Sequence, residues 1–413
     1  MSKRKLVVAG GGAAGFFCAI NAARLQPGLE VTIAEKTGKL LSKVKVSGGG
    51  RCNVTHDCND ISDMSRMYPR GTNFVRKTFH QFFTTDTIEW FKERGVQLRA
   101  EMDGRMFPVT DSSQTIIDCL LREASRYQVN ILMNTAIIKT GYLDNGRFHL
   151  QLNNKRELTA DYLCIATGGY PRYAQFDWIA ALGHSVEEPV PSLFTFNLPG
   201  NNITALMGIS VEKAKVKIPG TKLEEEGPLL ITHWGMSGPA VLKLSAWGAR
   251  VLKGKGWHFP LQVNWTPDYH EQQLVALFQQ WRYDIAAQKT GNKNSLGLPN
   301  RLWEYLLHYS DINPGKRWAD LSAKEQNRLA KNLSQYPAEV KGKTTFKEEF
   351  VTAGGIRLSE VDPQTMMSKK VNRLFFAGEV LDVDGVTGGF NFQHAWTTGF
   401  IAAKNIAELA ANE

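Results

Sequence analysis

The sequence predicts an α/β protein in which a Rossmann-like dinucleotide-binding domain is interrupted by an α+β insertion. Three observations predict this fold. An apolar strand at Lys5–Gly10 runs into a glycine-rich turn, and an acid, Glu35, closes the next strand. The stretch from about 189 to 345 differs in texture from the segments on either side, since prolines and strand-like runs give way to a helical pattern.

The first strand, a helix at Ala13–Leu25 and a strand at Glu30–Glu35 make one β-α-β unit. The turn between the first strand and the helix carries a Gly-x-Gly-x-x-Gly pattern. Its first glycine permits the tight turn, its second lets backbone approach a pyrophosphate, and its third lets helix and strand pack closely. The helix N-terminus favours negative charge. The turn residues predicted to bind the cofactor are Gly10, Gly12, Ala13, Ala14 and Gly15.

Glu35 follows the third glycine by twenty residues, where a carboxylate can accept hydrogen bonds from ribose hydroxyls. An acid at this position disfavours a 2′-phosphate, so NADP is not the expected occupant of the half-site. This half-site by itself does not separate NAD from FAD.

Two further segments favour FAD. A small-residue loop follows the second strand, where the extended pyrophosphate and ribityl chain of a flavin would pass, and its arginine can bond to phosphate. The alternative for this loop is a flexible surface segment. A later strand ends in Thr167 and Gly168, which are predicted to bind the cofactor where the chain returns past its edge, although the Thr-Gly-Gly pattern alone is only a turn signal. The loop residues predicted to bind the cofactor are Ser47, Gly48, Gly49, Gly50, Arg51, Cys52 and Asn53.

A third cofactor segment is predicted near the C-terminus, where an apolar strand from Leu374 ends in Gly378 and Glu379. The Glu379 carboxylate can bind ribityl hydroxyls. The pair Gly388 and Gly389 precedes a helix whose N-terminus could face the pyrimidine oxygen of a flavin, where negative charge builds on reduction. Further residues predicted to bind the cofactor here are Asp384, Phe390, Asn391 and Phe392.

The elements divide the chain into three predicted parts. Residues 1–189 and 346–413 form the nucleotide-binding domain, 190–267 and 338–345 an inserted β domain, and 268–337 a helical subdomain. Within the first domain, helices are predicted at 74–94, 113–127 and 397–411. Strands are predicted there at 130–132, 137–142, 147–152 and 162–166.

Composition restricts the possible chemistry. Five cysteines, none in a Cys-x-x-Cys pair, argue against a disulfide framework, a dithiol redox couple and a zinc site, and no metal is expected. The net charge of +9 comes from scattered Lys and Arg residues, which favours a solvated surface over a nucleic acid partner. No apolar run is long enough for a bilayer, so no membrane partner and a cytoplasmic location are expected. The oligomeric state is left open.

The chain resembles the YhiN/BaiN-like FAD-binding oxidoreductases, a group that includes aminoacetone-oxidase-like flavoproteins. The resemblance covers nearly the whole length and lies in Ser47–Thr55, Gly227–Ser245, Thr352–Gly355 and Phe376–Gln393. It implies that Lys36 joins the glycine turn, Glu35, Ser47–Asn53, Gly378, Glu379 and Gly389–Phe392 in lining FAD. It also implies that the insertion is a β-barrel-like domain with a helical cap.

Two segments depart from the pattern of this group. His56 stands where the group usually has Asn, and the aromatic, glycine-poor stretch Tyr170–Trp178 replaces a run of Ser, Pro and several Gly. Cofactor contacts and any pocket beside that stretch are therefore expected to differ.

The expected activity is transfer of a hydride or two electrons between the flavin and a small organic substrate or NAD(P)H. No second Gly-x-Gly-x-x-Gly follows a strand, so NAD(P)H would bind only transiently, over the flavin. No catalytic acid or base is identified, because His233, Cys52 and His394 are each interpreted as structural. The alternative is a flavoprotein that acts on or binds RNA, in the manner of tRNA-modifying enzymes.

Overall fold

The computed structural model describes residues 3–292, 295–344 and 351–412. The strands in chain order are β1 (Lys5–Ala9), β2 (Glu30–Ala34), β3 (Thr55–His56), β4 (Leu98–Ala100), β5 (Arg105–Pro108), β6 (Asn130–Leu132), β7 (Ile137–Tyr142), β8 (Phe148–Leu152), β9 (Glu157–Ala160), β10 (Tyr162–Ile165), β11 (Val186–Ser192), β12 (Thr195–Asn197), β13 (Ser210–Lys217), β14 (Glu224–Ile231), β15 (Gly235–Ser237), β16 (His258–Asn264), β17 (Tyr336–Lys341), β18 (Lys343–Thr344), β19 (Val351–Ile356) and β20 (Leu374–Phe376).

The α-helices in chain order are α1 (Ala13–Leu25), α2 (Ser42–Gly50), α3 (Ile61–Ser65), α4 (Thr72–Phe79), α5 (Thr84–Lys92), α6 (Ser113–Arg126), α7 (Asp177–Ala180), α8 (Pro239–Gly254), α9 (Glu271–Asp284), α10 (Asn300–Tyr309), α11 (Ala323–Ser334) and α12 (Phe390–Ala411). Short 3₁₀ turns occupy Tyr173–Phe176, Asn202–Leu206, Trp318–Asp320, Leu358–Glu360 and Gly378–Val380.

The chain forms two compact units. The first contains Met1–Ser192 and Lys347–Glu413, and the second contains Leu193–Phe346. The first unit is built on a parallel sheet in the order β20-β10-β1-β2-β6. Because all these strands run the same way, their carboxyl ends share one edge, which is where ligands bind in open α/β sheets.

Two helices of the first unit, α1 and α12, pack against each other through small residues. A Cβ atom added at Gly399 would lie 2.7 Å from the Ala14 carbonyl oxygen, so only glycine permits this approach. Most of α1 is buried, including Phe16, Phe17 and Ile20. The N-terminal ends of both helices are thereby held in the same unit as the parallel sheet.

The second unit is built on an antiparallel sheet in the order β17-β16-β13-β14-β15-β12-β18. The helices α9, α10 and α11 do not form a separate core. Trp303 and Leu329 from these helices belong to the same buried cluster as Phe259 and Val263 of β16. The predicted division of the insertion into a β domain and a cap stays a prediction, and side chains from both parts share one core.

The α/β fold class with an inserted antiparallel sheet is confirmed, and three boundaries differ from the sequence prediction. The single helix predicted at 74–94 is two helices, because the Asp86 carboxylate accepts a hydrogen bond from Phe83 N and starts a new helix. Helix α8 lies inside the stretch predicted to be β, with Pro239 at its first turn. The last helix begins at Phe390 instead of Thr397.

Candidate cofactor site

The turn between β1 and α1 has the shape of a phosphate-binding turn. Gly10 has φ +114°, and a Cβ there would lie 2.4 Å from Ala166 O. A Cβ at Gly15 would lie 2.0 Å from Gly10 O, so helix and strand require glycine here. A Cβ at Gly12 would meet nothing within 4 Å. The space beside Gly12 is therefore open, whereas the protein fills the space beside Gly10 and Gly15.

The first turn of α1 also presents unpaired donors. Its first intrahelical bond runs from Phe16 N to Gly12 O, and no side chain caps the helix. Among the residues that the structure describes, the N–H groups of Ala13, Ala14 and Gly15 have no protein acceptor. Amides of this kind, together with the helix dipole, attract an anion such as a pyrophosphate.

Glu35 lies just beyond β2, next to this turn. One of its carboxylate oxygens accepts a hydrogen bond from Gly11 N at 2.8 Å. The other accepts from Thr37 N and Thr37 Oγ1, both at 2.8 Å. Each carboxylate oxygen can accept more than one hydrogen bond, so the acid can still receive a ribose hydroxyl.

An open cavity of about 350 Å³, a volume that includes space continuous with solvent, lies beside Glu35 at the carboxyl edge of the sheet. Seven of its residues were not predicted to bind the cofactor: Ala9, Ala34, Thr135, Ala136, Ile137, Tyr170 and Trp178. Thr135, Ala136 and Ile137 follow β6, so their position after a parallel strand was a signal that could have found them. The complete lining is Ala9, Gly10, Ala34, Glu35, Lys36, Thr135, Ala136, Ile137, Thr167, Tyr170 and Trp178.

The aromatic stretch that departs from the related group contributes two side chains to this cavity, Tyr170 and Trp178. The Lys36 ammonium lies 5.2 Å from the centre of the Tyr170 ring, within the range of a cation–π contact. Tyr170 and Trp178 thus give this side of the cavity an aromatic surface.

The predicted small-residue loop Ser47–Asn53 begins within the last residues of helix α2, which is kinked there. Gly48 and Gly49 both have left-handed backbone, with φ of +58° and +69°. A Cβ at Gly49 or Gly50 would meet nothing within 4 Å, whereas one at Gly48 would lie 2.7 Å from the Phe107 ring. This part of the loop therefore presents bare backbone with open space beside it.

Two side chains of the loop are engaged by the protein itself. Arg51 forms an ion pair of 2.6 Å with Glu101 and stacks 3.9 Å from the centre of the Phe107 ring. Its predicted bond to phosphate, which stays a prediction, would compete with Glu101. Cys52 is fully buried, and burial raises the pKa of its thiol to about 12. Cys52 is therefore a neutral thiol at physiological pH and not a nucleophile.

Glu379 lies where three separate segments meet. Its carboxylate forms a 2.6 Å ion pair with Lys43 of α2 and accepts a hydrogen bond of 2.8 Å from Thr352 N. A Cβ at Gly169 would lie 2.9 Å from Glu379 Oε1. Lys43 was not predicted from the sequence, because its partner is 336 residues away along the chain. The structure thus brings together α2, the end of β10, β19 and the segment after β20.

Asp384 is placed differently from the other predicted residues. Its carboxylate is completely buried and forms an ion pair with Arg70. It also accepts a hydrogen bond of 2.8 Å from Ser192 Oγ. This acid belongs to an internal network and has no exposed atom itself, and its predicted contact with the cofactor stays a prediction.

Helix α12 begins with unpaired amides, as α1 does. Its first intrahelical bond runs from Gln393 N to Gly389 O, and no side chain caps it. Within the described chain, the N–H groups of Phe390, Asn391 and Phe392 have no protein acceptor. The Asn391 side chain is occupied, since it bonds Gly385 N at 2.8 Å and Gly385 O at 2.9 Å.

His394 lies on the next turn of the same helix and is 2% exposed. Its ring lies beside the Gly378 backbone, and neither ring nitrogen forms a hydrogen bond of ordinary geometry within the described residues. Burial lowers the pKa of His394 to about 4, so the ring is neutral near pH 7. His233, in the second unit, contacts the Trp234 ring at 3.5 Å between ring centres.

Comparison with known proteins identifies the family. A family model described as the HI0933-like protein Rossmann domain matches residues 4–405. The chain belongs to this family. The resemblance to YhiN/BaiN-like FAD-binding proteins is thereby confirmed, as is the prediction of an FAD-dependent oxidoreductase as the enzyme class. No helix in the described part of this family member is both long and apolar enough to cross a membrane.

Two relatives and one solved structure show how similar this chain is to known proteins in sequence and in fold. The 3-dehydro-bile acid delta(4,6)-reductase of Clostridium scindens is 27% identical over 98% of this chain and 99% of its own length. The ribosomal RNA dihydrouridine synthase of Escherichia coli is 29% identical over 98% of each chain. The 3-ketosteroid delta1-dehydrogenase of Sterolibacterium denitrificans has a similar fold, with a TM-score of 0.54 and 13% identity over 99% of this chain and 100% of that one.

Proposed function

We propose that this member of the HI0933-like family binds FAD in the first unit and reduces a carbon–carbon double bond conjugated to a carbonyl group. The observation that carries the cofactor proposal is the open space beside Gly12, next to the three unpaired N–H groups at the start of α1. Such a turn can receive a pyrophosphate, and Glu35 is adjacent to receive a ribose hydroxyl.

The remaining residues fit the other parts of an FAD molecule. The open cavity beside Glu35 presents Tyr170 and Trp178 as aromatic surfaces on which an adenine ring can pack. Glu379, paired with Lys43, provides acceptors for ribityl hydroxyls. The free amides at the start of α12 provide donors for the pyrimidine edge of a flavin.

When bound, FAD supplies two-electron hydride chemistry that no side chain of the protein can supply. The protein binds and orients the cofactor, and Lys43 offsets the charge of Glu379 beside it. Saturating a double bond takes up two electrons and two protons. We propose a reduced nicotinamide, NADH or NADPH, as the transient source of the electrons.

The names of the relatives support this substrate class. A 3-dehydro-bile acid with delta(4,6) double bonds carries a ketone conjugated to those bonds. Conversion of uridine to dihydrouridine saturates a double bond conjugated to a ring carbonyl. The shared chemistry is reduction of an electron-poor alkene, and we propose a small organic compound of that class as the substrate.

The test is anaerobic. The flavin is reduced photochemically, and a 3-oxo-4-ene steroid is then added, with the corresponding saturated 3-ketone as the control compound. We expect the unsaturated steroid to restore the oxidised flavin spectrum and to yield the saturated product, whereas the control does neither. A reduced flavin that persists with the steroid, and with other conjugated enones and enals, would contradict the proposed reaction.

A second candidate is uridine in ribosomal RNA. It is favoured by the E. coli relative's name and by the charge distribution, because residues 193–346 carry 19 Lys and Arg against 12 Asp and Glu, which is +7 of the total +9. We expect RNA binding, if this candidate is right, to weaken steeply with salt. Dihydrouridine formation in RNA, together with no reaction of small enones, would decide for this candidate.

We propose a cytoplasmic location for the protein with either substrate, because its five cysteines are free thiols, as is usual in a reducing compartment.

A further inference from the structure

His56, which stands where the related group has Asn, is wedged against the loop that precedes α12. Its Nδ1 atom lies 2.9 Å from Gly388 O. Since a carbonyl oxygen only accepts hydrogen bonds, Nδ1 carries the proton and donates it. The ring stacks on Phe390, with 4.7 Å between ring centres and 27° between planes. On another side, a Cβ at Gly104 would lie 2.5 Å from His56 Nε2, so glycine leaves room for the ring.

The peptide between Gly388 and Gly389 is held at its other end as well. With its amide assigned the orientation that satisfies both neighbours, the Asn53 side chain accepts a hydrogen bond from Gly389 N at 2.9 Å and donates to Thr55 O at 3.0 Å. A Cβ at Gly389 would lie 2.3 Å from Thr55 O. Residues 53–56 thus contact this peptide directly. His56 donates a hydrogen bond to its carbonyl oxygen, and Asn53 accepts one from its N–H.

The hydrogen bonds from His56 and Asn53 restrict a peptide that would otherwise be flexible, because both of its residues are glycine. Gly388 has φ +138° and Gly389 has φ +93°, conformations that glycine adopts freely among many others. Without the side-chain bonds, the two glycines would let the peptide rotate. Rotation would move the first amides of α12, which follow directly in the chain.

We propose that His56 is a positioning residue that fixes the Gly388–Gly389 peptide and so aims the α12 amides at the pyrimidine edge of the flavin. The inference rests on the proposed FAD site. Reduction of a flavin builds negative charge at that edge, and aligned amides stabilise the charge. His56 thereby favours the reduced cofactor over the oxidised one, without touching either.

The substitutions His56→Phe, His56→Asn and His56→Asp separate the hydrogen bond from packing. Phe keeps an aromatic ring to stack on Phe390 but cannot donate. Asn has a donor that can reach the same carbonyl, whereas ionised Asp has the same shape and only acceptors. The control is His149→Phe, on β8, where the ring is paired with Glu157 at the surface.

The measurement is the two-electron midpoint potential of bound FAD, with the dissociation constant of FAD measured in parallel. We expect His56→Phe and His56→Asp to lower the reduced-to-oxidised ratio of bound FAD about tenfold, which is about 30 mV. His56→Asn is expected to keep most of the wild-type potential, and the control His149→Phe to leave it unchanged. If the His56→Phe variant does not fold, His56→Asn and His56→Asp still compare a side chain that can donate with one that cannot.

A potential that is unchanged in both donor-free variants, with FAD bound, would overturn this inference and leave the proposed function intact. A wild-type protein that binds no FAD would contradict the proposed function, and this inference with it.

Discussion

The Glu35 carboxylate accepts a hydrogen bond of 2.8 Å from Gly11 N, which ties the end of β2 to the glycine turn after β1. The acid therefore has two tasks: it shapes the turn, and in the proposed cofactor site it would receive a ribose hydroxyl. Sequence spacing indicated only the second task.

Replacing Glu35 by Ala is expected to weaken FAD binding by about 1 to 3 kcal/mol, the range for losing hydrogen bonds to a charged group. The dissociation constant, measured by recovery of flavin fluorescence, checks this value. Glu30→Ala, at the exposed start of the same strand, is the control and is expected to have no effect on binding. Equal dissociation constants for the two variants would remove Glu35 from the site.

Gly12→Val is expected to give a folded protein without FAD. The added side chain enters open space instead of protein, so folding is retained while the proposed pyrophosphate position is filled. The flavin content of the purified variant measures FAD binding, and its circular dichroism spectrum measures folding. Gly28→Val, at an exposed turn with room for a Cβ, is the matched control. A normal flavin content in Gly12→Val would show that the cofactor lies elsewhere.

The buried pair of Arg70 and Asp384 is expected to stabilise the first unit. Asp384→Asn keeps the shape but removes the negative charge that is paired with the mostly buried Arg70, at a cost of about 3 to 5 kcal/mol. The exposed pair of Arg328 and Asp311 offers a comparison, since Asp311→Asn should cost less than about 1 kcal/mol. Urea unfolding of both variants measures the difference, and similar small losses would refute the structural role of Asp384.

Two buried histidines, His184 and His394, predict a loss of stability in acid. Burial lowers the pKa of each to about 4, whereas the unfolded chain takes up these protons near pH 6.5. Stability therefore falls as the pH decreases from about 6.5 towards 4, by about 3 kcal/mol for each residue. The His394→Leu variant should show a shallower decline than wild type in urea titrations at several pH values, and an identical slope would contradict the assignment.

The local pattern of the nucleotide-binding half could be predicted from the sequence because its signals are local. The limits of α1 follow from the glycine turn and the helix-forming residues after it, and β6 and β7 follow from short apolar and β-branched runs. Helix α8 was missed, because a single proline at a first helical turn looks the same in sequence as one in a β-rich stretch.

The parts of the candidate site that escaped prediction depend on long-range contacts. Lys43 gains its partner Glu379 only when α2 and the segment after β20 meet in the fold. The role of His56 depends in the same way on Gly388, which is 332 residues away. Asp384 was predicted at the cofactor from its motif, and its burial against Arg70 has no signal in the sequence.

The most direct test of the account is the visible absorbance spectrum of the purified wild-type protein, recorded before and after anaerobic addition of NADH or NADPH. The account predicts a bound-flavin spectrum, FAD as the released cofactor, and bleaching by one of the two nicotinamides. A bound flavin that stays oxidised would contradict the proposed electron donor alone. Absence of flavin, even after reconstitution with FAD, would contradict the central claim.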